Sequence, residues 1–474
     1  MTPVSHGKPC AGNPHARFDE GASAQGEPRR SALLHNTSAQ VLLWGKRIGI
    51  VSQRDGAPCA EFAYDPAFIG IGLEPSPLMM AVGQGVYSFS HLSERSFHGL
   101  PGMLADSLPD KFGNSVIAVW LQSQGRHPDS LSPIERLCYT GTRGMGALEY
   151  VPALLDEDDE AQVVEVEALA ALANEVLRMR KEARTELRPD TTKYASILKV
   201  GSSAGGARAK ALIGWNEATG EVRSGQVKLP EGFGYWLIKF DGLDGNGDKE
   251  DDDVKGYGRI EYAYHLMAKA AGIEMTECRL WQRRHFMTRR FDRLADGGKL
   301  HVQTLGALAH FDFNDPTAYS YEQAFRITKQ VVNDARALSQ LFRRMVFNVL
   351  AWNCDDHVKN ISYSMDHFGE WRLAPAYDEC YAYNPDGAWT SRHQMSVHGK
   401  RIDITDDDMV AAAAIADISA SKARKIIGEV REAVSRWRSF ADEAGVKPVH
   451  ADAIAARIND CGVACGASTE VGRL

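Results

Sequence analysis

Apolar positions along the chain switch between two periods, and each switch predicts an element. Val41-Leu42-Leu43-Trp44-Gly45-Lys46-Arg47-Ile48-Gly49-Ile50-Val51 reads as strand, turn and strand, and Glu61-Phe62-Ala63-Tyr64 continues that sheet. Tyr235-Trp236-Leu237-Ile238-Lys239-Phe240-Asp241 alternates like a strand, with Lys239 its only cation. A helical period appears from Val163 to about Lys181, from Arg259 to a closing Gly272, and repeatedly from Asp406 onward. Apolar residues running from Phe342 to Trp352 predict a buried helix, and Ile361, Tyr363, Trp371 and Leu373 predict a hairpin behind it. Residues 1–38 are rich in Gly, Ala, Ser, Pro and His, lack apolar periodicity, and predict a disordered extension. No internal repeat is present.

These patterns divide the chain into a strand-and-helix unit over 39–155, a second α+β unit over 156–293, and a helical unit over 294–474. The acidic run Asp156–Glu160 between the first two reads as a solvated linker or a helix start. With 474 residues and 44% hydrophobic content, the chain can bury two or three packed units. Its 54 basic and 62 acidic residues leave a net charge of -8, which argues against gripping DNA directly, because phosphate neutralisation needs a clustered basic face. The eight cysteines are scattered, and only Cys461 and Cys465 approach a metal-binding spacing, so free thiols in a reducing cytoplasm are expected. No run of about 18 apolar residues and no apolar signal core occurs, which predicts a soluble, cytoplasmic protein without membrane contact.

The chemistry is concentrated in N-C-D-D-H-V-K-N, from Asn353, and W-R-L-A-P-A-Y-D, ending at Asp378. Asp355 is followed by Asn360 five residues on and by Asp378 eighteen beyond that. Phosphoryl-transfer enzymes use this order: an Asp takes the acceptor hydroxyl's proton, and the Asn and second Asp hold magnesium. An ordinary solvated turn is the competing explanation, and the apolar flanks oppose it because they place the polar residues on a loop between rigid elements.

Such a site also needs a strand lysine, a helical carboxylate to pair with it, and a small-residue loop over the phosphates. Lys239 supplies the first, although a lone strand lysine also serves to protect a sheet edge. Glu261, read as lying in the first turn of its helix, supplies the second or merely complements the helix dipole. Gly201-Ser202-Ser203-Ala204-Gly205-Gly206-Ala207-Arg208-Ala209-Lys210 supplies the third as an anion-binding nest, with a structural hairpin as the alternative. It is not a Walker A loop, since Ala207-Arg208 stands where Gly-Lys would be needed. The acidic stretch Asp244–Asp253 starts like a calcium-binding loop but has Lys249 and Lys255 at its critical glycine and glutamate positions.

Together these segments resemble the HipA family of serine/threonine kinases, the toxins of type II toxin-antitoxin systems. The resemblance also rests on Gly99–Asp110, on Gly144-Met145-Gly146-Ala147-Leu148 and on the R-R-F-D-R segment at 289–293. It implies a two-lobed, protein-kinase-like α+β fold with an additional N-terminal α+β subdomain and an all-helical C-terminal lobe. ATP and Mg2+ would be the cofactors and Asp355 the catalytic base, with Asn360 and Asp378 as metal ligands. Ala204, Gly205, Gly206, Ala207, Arg208, Lys210, Lys239, His357, Lys359 and Tyr377 would line the nucleotide site, and the backbone of Arg289, Arg290 and Phe291 would form the adenine hinge. Ser202 or the adjacent Ser203 would be autophosphorylated to switch the kinase off. The implied partners are a helix-turn-helix antitoxin of the HipB type, operator DNA through that antitoxin only, and a protein substrate, with an aminoacyl-tRNA synthetase as the candidate. A catalytically silent scaffold that binds antitoxin and a small-molecule kinase remain as alternatives at this stage.

Overall fold

The computed structural model describes residues 38–123, 125–127, 130–154, 161–182, 208–243 and 255–466. The first strands pair as their alternation predicts: β1 (Ser38–Leu43) and β2 (Lys46–Ser52) form a hairpin, joined by β3 (Glu61–Tyr64), β4 (Val86–Tyr87) and β5 (Leu148–Val151). The antiparallel sheet has the order β4-β3-β2-β1-β5. Its first turn is two residues long, and Trp44 and Gly45 both take positive φ (51° and 73°), matching the twist of a tight hairpin.

A second antiparallel sheet contains β6 (Lys210–Trp215), β7 (Val222–Ser224), β8 (Gly234–Lys239), β9 (Cys278–Trp281) and β10 (His285–Arg289) in the order β7-β6-β8-β10-β9. Ala211, Ile213, Trp236, Ile238 and Met287 share one core with Phe112, Val116 and Ile117 of helix Lys111–Ser123 and Val166, Ala173 and Leu177 of helix Val166–Glu182. A helix from the N-terminal region therefore backs the sheet that carries Lys239. That lysine lies on a central strand, between β6 and β10, so protection of an exposed edge does not explain it.

Helix Tyr257–Ala270 follows, burying Ile260, Ala263, Tyr264, Met267 and Ala268 at helical spacing. The Gly256 N–H donates to the Asp241 carboxylate (3.0 Å), and this capping starts the helix two residues before Arg259. Glu261 is therefore in the second turn rather than the first, and a helix-dipole role does not account for it. Beyond it, helices Tyr321–Val331, Ala335–Leu350, Asp406–Ile415, Ala420–Ser435, Trp437–Ala444 and Pro448–Gly466 gather around Phe347, Tyr264 and Trp437.

The expectation of an all-helical C-terminal region is corrected by a third sheet, β11-β12-β13, built from His301–Thr304, Ser362–Met365 and Trp371–Leu373. The β12–β13 hairpin was visible in its apolar residues. β11 was not, because the residues it turns inward are His301 and Gln303, both fully buried but polar. His301 Nε2 lies 2.8 Å from the Pro75 carbonyl, tying this sheet to the N-terminal region. Among the described residues no helix is long and apolar enough to cross a membrane.

Candidate active site

Lys239 ends β8 with its ammonium between two carboxylates. It donates to Glu261 Oε1 at 2.5 Å and also pairs with Asp378 Oδ1, 139 residues away in sequence. Burial opposes a charged ammonium here, but Asp378 and Glu261 outweigh it and raise the lysine pKa above its ordinary value. Burial likewise works against an ionised Asp378, yet Lys239 and Lys210 hold its carboxyl well below the usual range. Asp378 sits at φ 56°, a left-handed backbone that aspartate tolerates and that functional sites often retain.

Lys210 stands directly across from Lys239 in the β6–β8 register and is 3% exposed. Burial first, then the Lys239 charge, push its pKa down to about 8. Arg208 stacks over the Tyr257 ring, 3.3 Å from its centroid, and reaches to 3.9 Å from Glu261. Three cations, Lys239, Lys210 and Arg208, thus converge on the start of helix Tyr257–Ala270. Ser202, Ser203, Ala204, Gly205, Gly206 and Ala207 lie outside the described residues, as does the acidic stretch 244–253.

The buried helix Ala335–Leu350 delivers the chain into the D-D-H loop, which is pinned from both sides. Cys354 N–H donates to the Ala382 carbonyl (3.1 Å), and Asn353 Nδ2 reaches the Asp378 carbonyl (3.4 Å). Asn360 Nδ2 donates to the Asp355 carbonyl (2.8 Å), so its amide oxygen is the atom remaining for another partner. Asp355 Oδ1 accepts from Gln394 Nε2 (2.7 Å) and lies 4.0 Å from His357 Nε2. Asp355, Asn360 and Asp378 are therefore assembled in one place with Lys239.

Lys359 leaves this cluster sideways. Its Nζ pairs with Asp110 (2.8 Å) and lies 4.4 Å from the Phe313 ring centroid. The loop after Asp355 is thereby clamped to the N-terminal region, beside a small crevice lined by Phe97, Asp106, Thr304, Phe311 and Phe313.

The R-R-F-D-R segment contains a buried ion cluster. Arg290 and Arg293 both pair with Asp292 at 2.7 Å, with side chains 1%, 3% and 0% exposed respectively. Asp292 also accepts from Gly146 N–H (2.8 Å), and Arg293 donates to the Gly144 and Gly146 carbonyls (3.0 Å each). The Gly144–Leu148 motif is thus the N-terminal region's grip on this segment. The Arg289 and Arg290 amides are spent on Glu277 (2.8 Å) and Tyr235 (2.9 Å), whereas Phe291 N–H enters no backbone hydrogen bond among the described residues. The Phe291 ring stacks near Tyr377, 6.0 Å between centroids, and Tyr377 OH donates to the Lys359 carbonyl (2.6 Å).

Sequence reasoning missed the support beneath Asp355. Asp356 is buried, accepting from Tyr321 OH (2.9 Å) and Gln394 N–H (2.8 Å) and lying 3.2 Å from His393 Nδ1. Nothing local marks His393 and Gln394, which lie 37 and 38 residues beyond Asp356. Asp110 closes the Gly99–Asp110 motif, but nothing in its sequence setting pairs it with Lys359, 249 residues away.

An ionised carboxylate and an amide oxygen beside converging cations can hold a divalent cation and a polyphosphate together. Among the described residues no group of three or more His, Cys, Asp and Glu is placed to hold a metal. The sequence matches the HipA-like C-terminal domain over residues 202–438 and the HipA N-terminal domain over residues 39–151. The chain belongs to the HipA family. Its structure is similar to that of HipA in the HipA, HipB and operator DNA complex of Shewanella oneidensis MR-1. The TM-score is 0.62 at 17% identity, covering 90% of this chain and 96% of that one. The proinflammatory kinase CtkA of Helicobacter pylori is a remoter match, with a TM-score of 0.36 at 11% identity over 55% of this chain and 90% of that one. No curated protein matches the sequence significantly.

Proposed function

We propose that the chain is an ATP- and Mg2+-dependent serine/threonine protein kinase of the HipA toxin type. The observation that carries this reading is the Lys239 ammonium held between Glu261 and Asp378, beside a loop that presents Asp355 and Asn360. In this reading Glu261 steadies Lys239, which exchanges Asp378 for ATP phosphate oxygens when nucleotide arrives, while Lys210 and Arg208 add positive charge. Asn360 and Asp378 would hold Mg2+, whose charge offsets that of the phosphates. Phe291 N–H would meet the adenine edge, with the Tyr377 and Phe291 rings near it. Asp355 takes the proton from a serine or threonine hydroxyl as that oxygen bonds to the γ-phosphorus, and the bond to the bridging oxygen breaks to release ADP.

The likeness to HipA in a complex with HipB and operator DNA supports a HipB-type antitoxin as partner, which would carry the DNA contact. The net charge of -8 agrees with leaving DNA to a partner. An aminoacyl-tRNA synthetase is the substrate class the family suggests, and autophosphorylation at Ser202 or Ser203 is the off-switch. Incubating purified protein with Mg-ATP and mapping peptides by mass spectrometry tests this. Phosphate is expected on the peptide carrying Ser202 and Ser203 and is expected to vanish in the double Ser→Ala variant. A protein that binds ATP and starts unmodified, yet phosphorylates neither itself nor any protein in a lysate, would leave the silent-scaffold reading in its place.

A further inference from the structure

Gln394 is buried, 3% exposed, and its two amide atoms are unequally served. Nε2 donates to Asp355 Oδ1 at 2.7 Å, whereas Oε1 is buried with no hydrogen-bond partner. The backbone around it is held at every point. Gln394 N–H donates to Asp356 Oδ1 (2.8 Å), its carbonyl accepts from Arg401, and the next strand-like contact is Ser396 N–H to the Tyr319 carbonyl (3.1 Å). Arg401 fastens the other side of the same segment through the Pro316 carbonyl (2.9 Å) and the Tyr319 carbonyl (3.0 Å). His393 lies 3.2 Å from Asp356, so one buried carboxylate anchors two successive residues.

We infer that Gln394 is the positioning residue that aims the Asp355 carboxylate at the acceptor hydroxyl. This rests on the kinase reading given above. The Gln394 donation to Oδ1 restricts rotation of the Asp355 carboxylate, which takes the acceptor hydroxyl's proton. Gln394 neither gains nor loses a proton in the step. The rigid seat fits this task, because a base misplaced by about 1 Å can cost about 100-fold in rate.

Three variants test the inference, with transfer from labelled ATP measured on a dead Asp355→Asn copy of the chain as acceptor. Gln394→Met keeps the volume without a donor, Gln394→Asn keeps the amide but not the reach, and Gln394→Glu sets oxygen against oxygen. The expected result is a fall in kcat of about 10- to 100-fold for Met and Asn, and a larger one for Glu, with KM and Kd for ATP within about two-fold of wild type. Melting curves identify which variants are folded, and any one folded variant decides. A folded variant with wild-type kcat overturns the inference, as does a loss shared equally by kcat and ATP affinity. If the wild type itself transfers nothing, the kinase reading falls and takes this inference with it.

Discussion

At the scale of single residues, Lys210 is the group whose behaviour follows most directly from its surroundings. Its pKa in the free protein is pushed down to about 8, by burial first and by Lys239 second. Phosphate oxygens would favour the charged ammonium, so nucleotide binding raises that pKa and takes up a proton once the pH exceeds about 8. Affinity for ATP should therefore fall between pH 7.5 and 9.5, where the phosphates of ATP are already ionised. Titration calorimetry across that range, repeated on Lys210→Met, should show a slope in the wild type and a flatter one in the variant. Glu379 has the opposite geometry: buried behind Asp378, its carboxyl is raised to about 8, by desolvation above all. A folded pKa above the unfolded one means that native protein binds the extra proton, so this group's contribution is present below about pH 4.5 and is lost as the pH rises to about 8. Urea midpoints for Glu379→Gln should fall less over pH 5 to 8 than those of the wild type.

Among the elements, helix Tyr257–Ala270 is the one on which the site depends. Gly258 faces β10, and a Cβ there would collide with the Arg284 carbonyl oxygen, a backbone atom with little room to move. Gly258→Ala should push the helix away from the sheet, costing about 1–3 kcal/mol by overpacking and separating Glu261 from Lys239. A denaturation midpoint and a transfer assay on the same preparation check both effects, and a stable, fully active variant contradicts the placement. This helix was legible in the sequence because its buried positions keep a 3.6-residue period up to Gly272. Its start was misjudged because the capping carboxylate, Asp241, lies fifteen residues before Gly256. β11 escaped for a different reason. A strand that buries His301 and Gln303 has no apolar alternation to detect, and only its partner β12 reveals it.

For the whole molecule, the N-terminal region is built into the site rather than appended to it. Helix Lys111–Ser123 backs the Lys239 sheet, Asp110 holds Lys359, and Gly144–Gly146 hold the Arg290–Asp292–Arg293 cluster. Replacing Asp292 with Asn leaves two buried guanidinium groups without their shared counter-charge, which typically costs about 3–5 kcal/mol. Chemical denaturation of Asp292→Asn should register that loss, and ATP binding should weaken with it because Phe291 adjoins the cluster. The sequence exposed the Asp355, Asn360 and Asp378 spacing because those residues sit on one continuous segment. It concealed the Asp110, His393 and Gln394 contributions because they depend on packing between distant segments, to which no local period or spacing responds.

The central claim is that Asp355 acts in the transfer step rather than in holding the nucleotide. The most direct measurement compares wild type and Asp355→Asn for phosphate transfer from labelled ATP and, on the same samples, for ATP affinity. Loss of about three or more orders of magnitude in transfer, with affinity within a few-fold of wild type, is the predicted result. Near-full transfer by Asp355→Asn would contradict it.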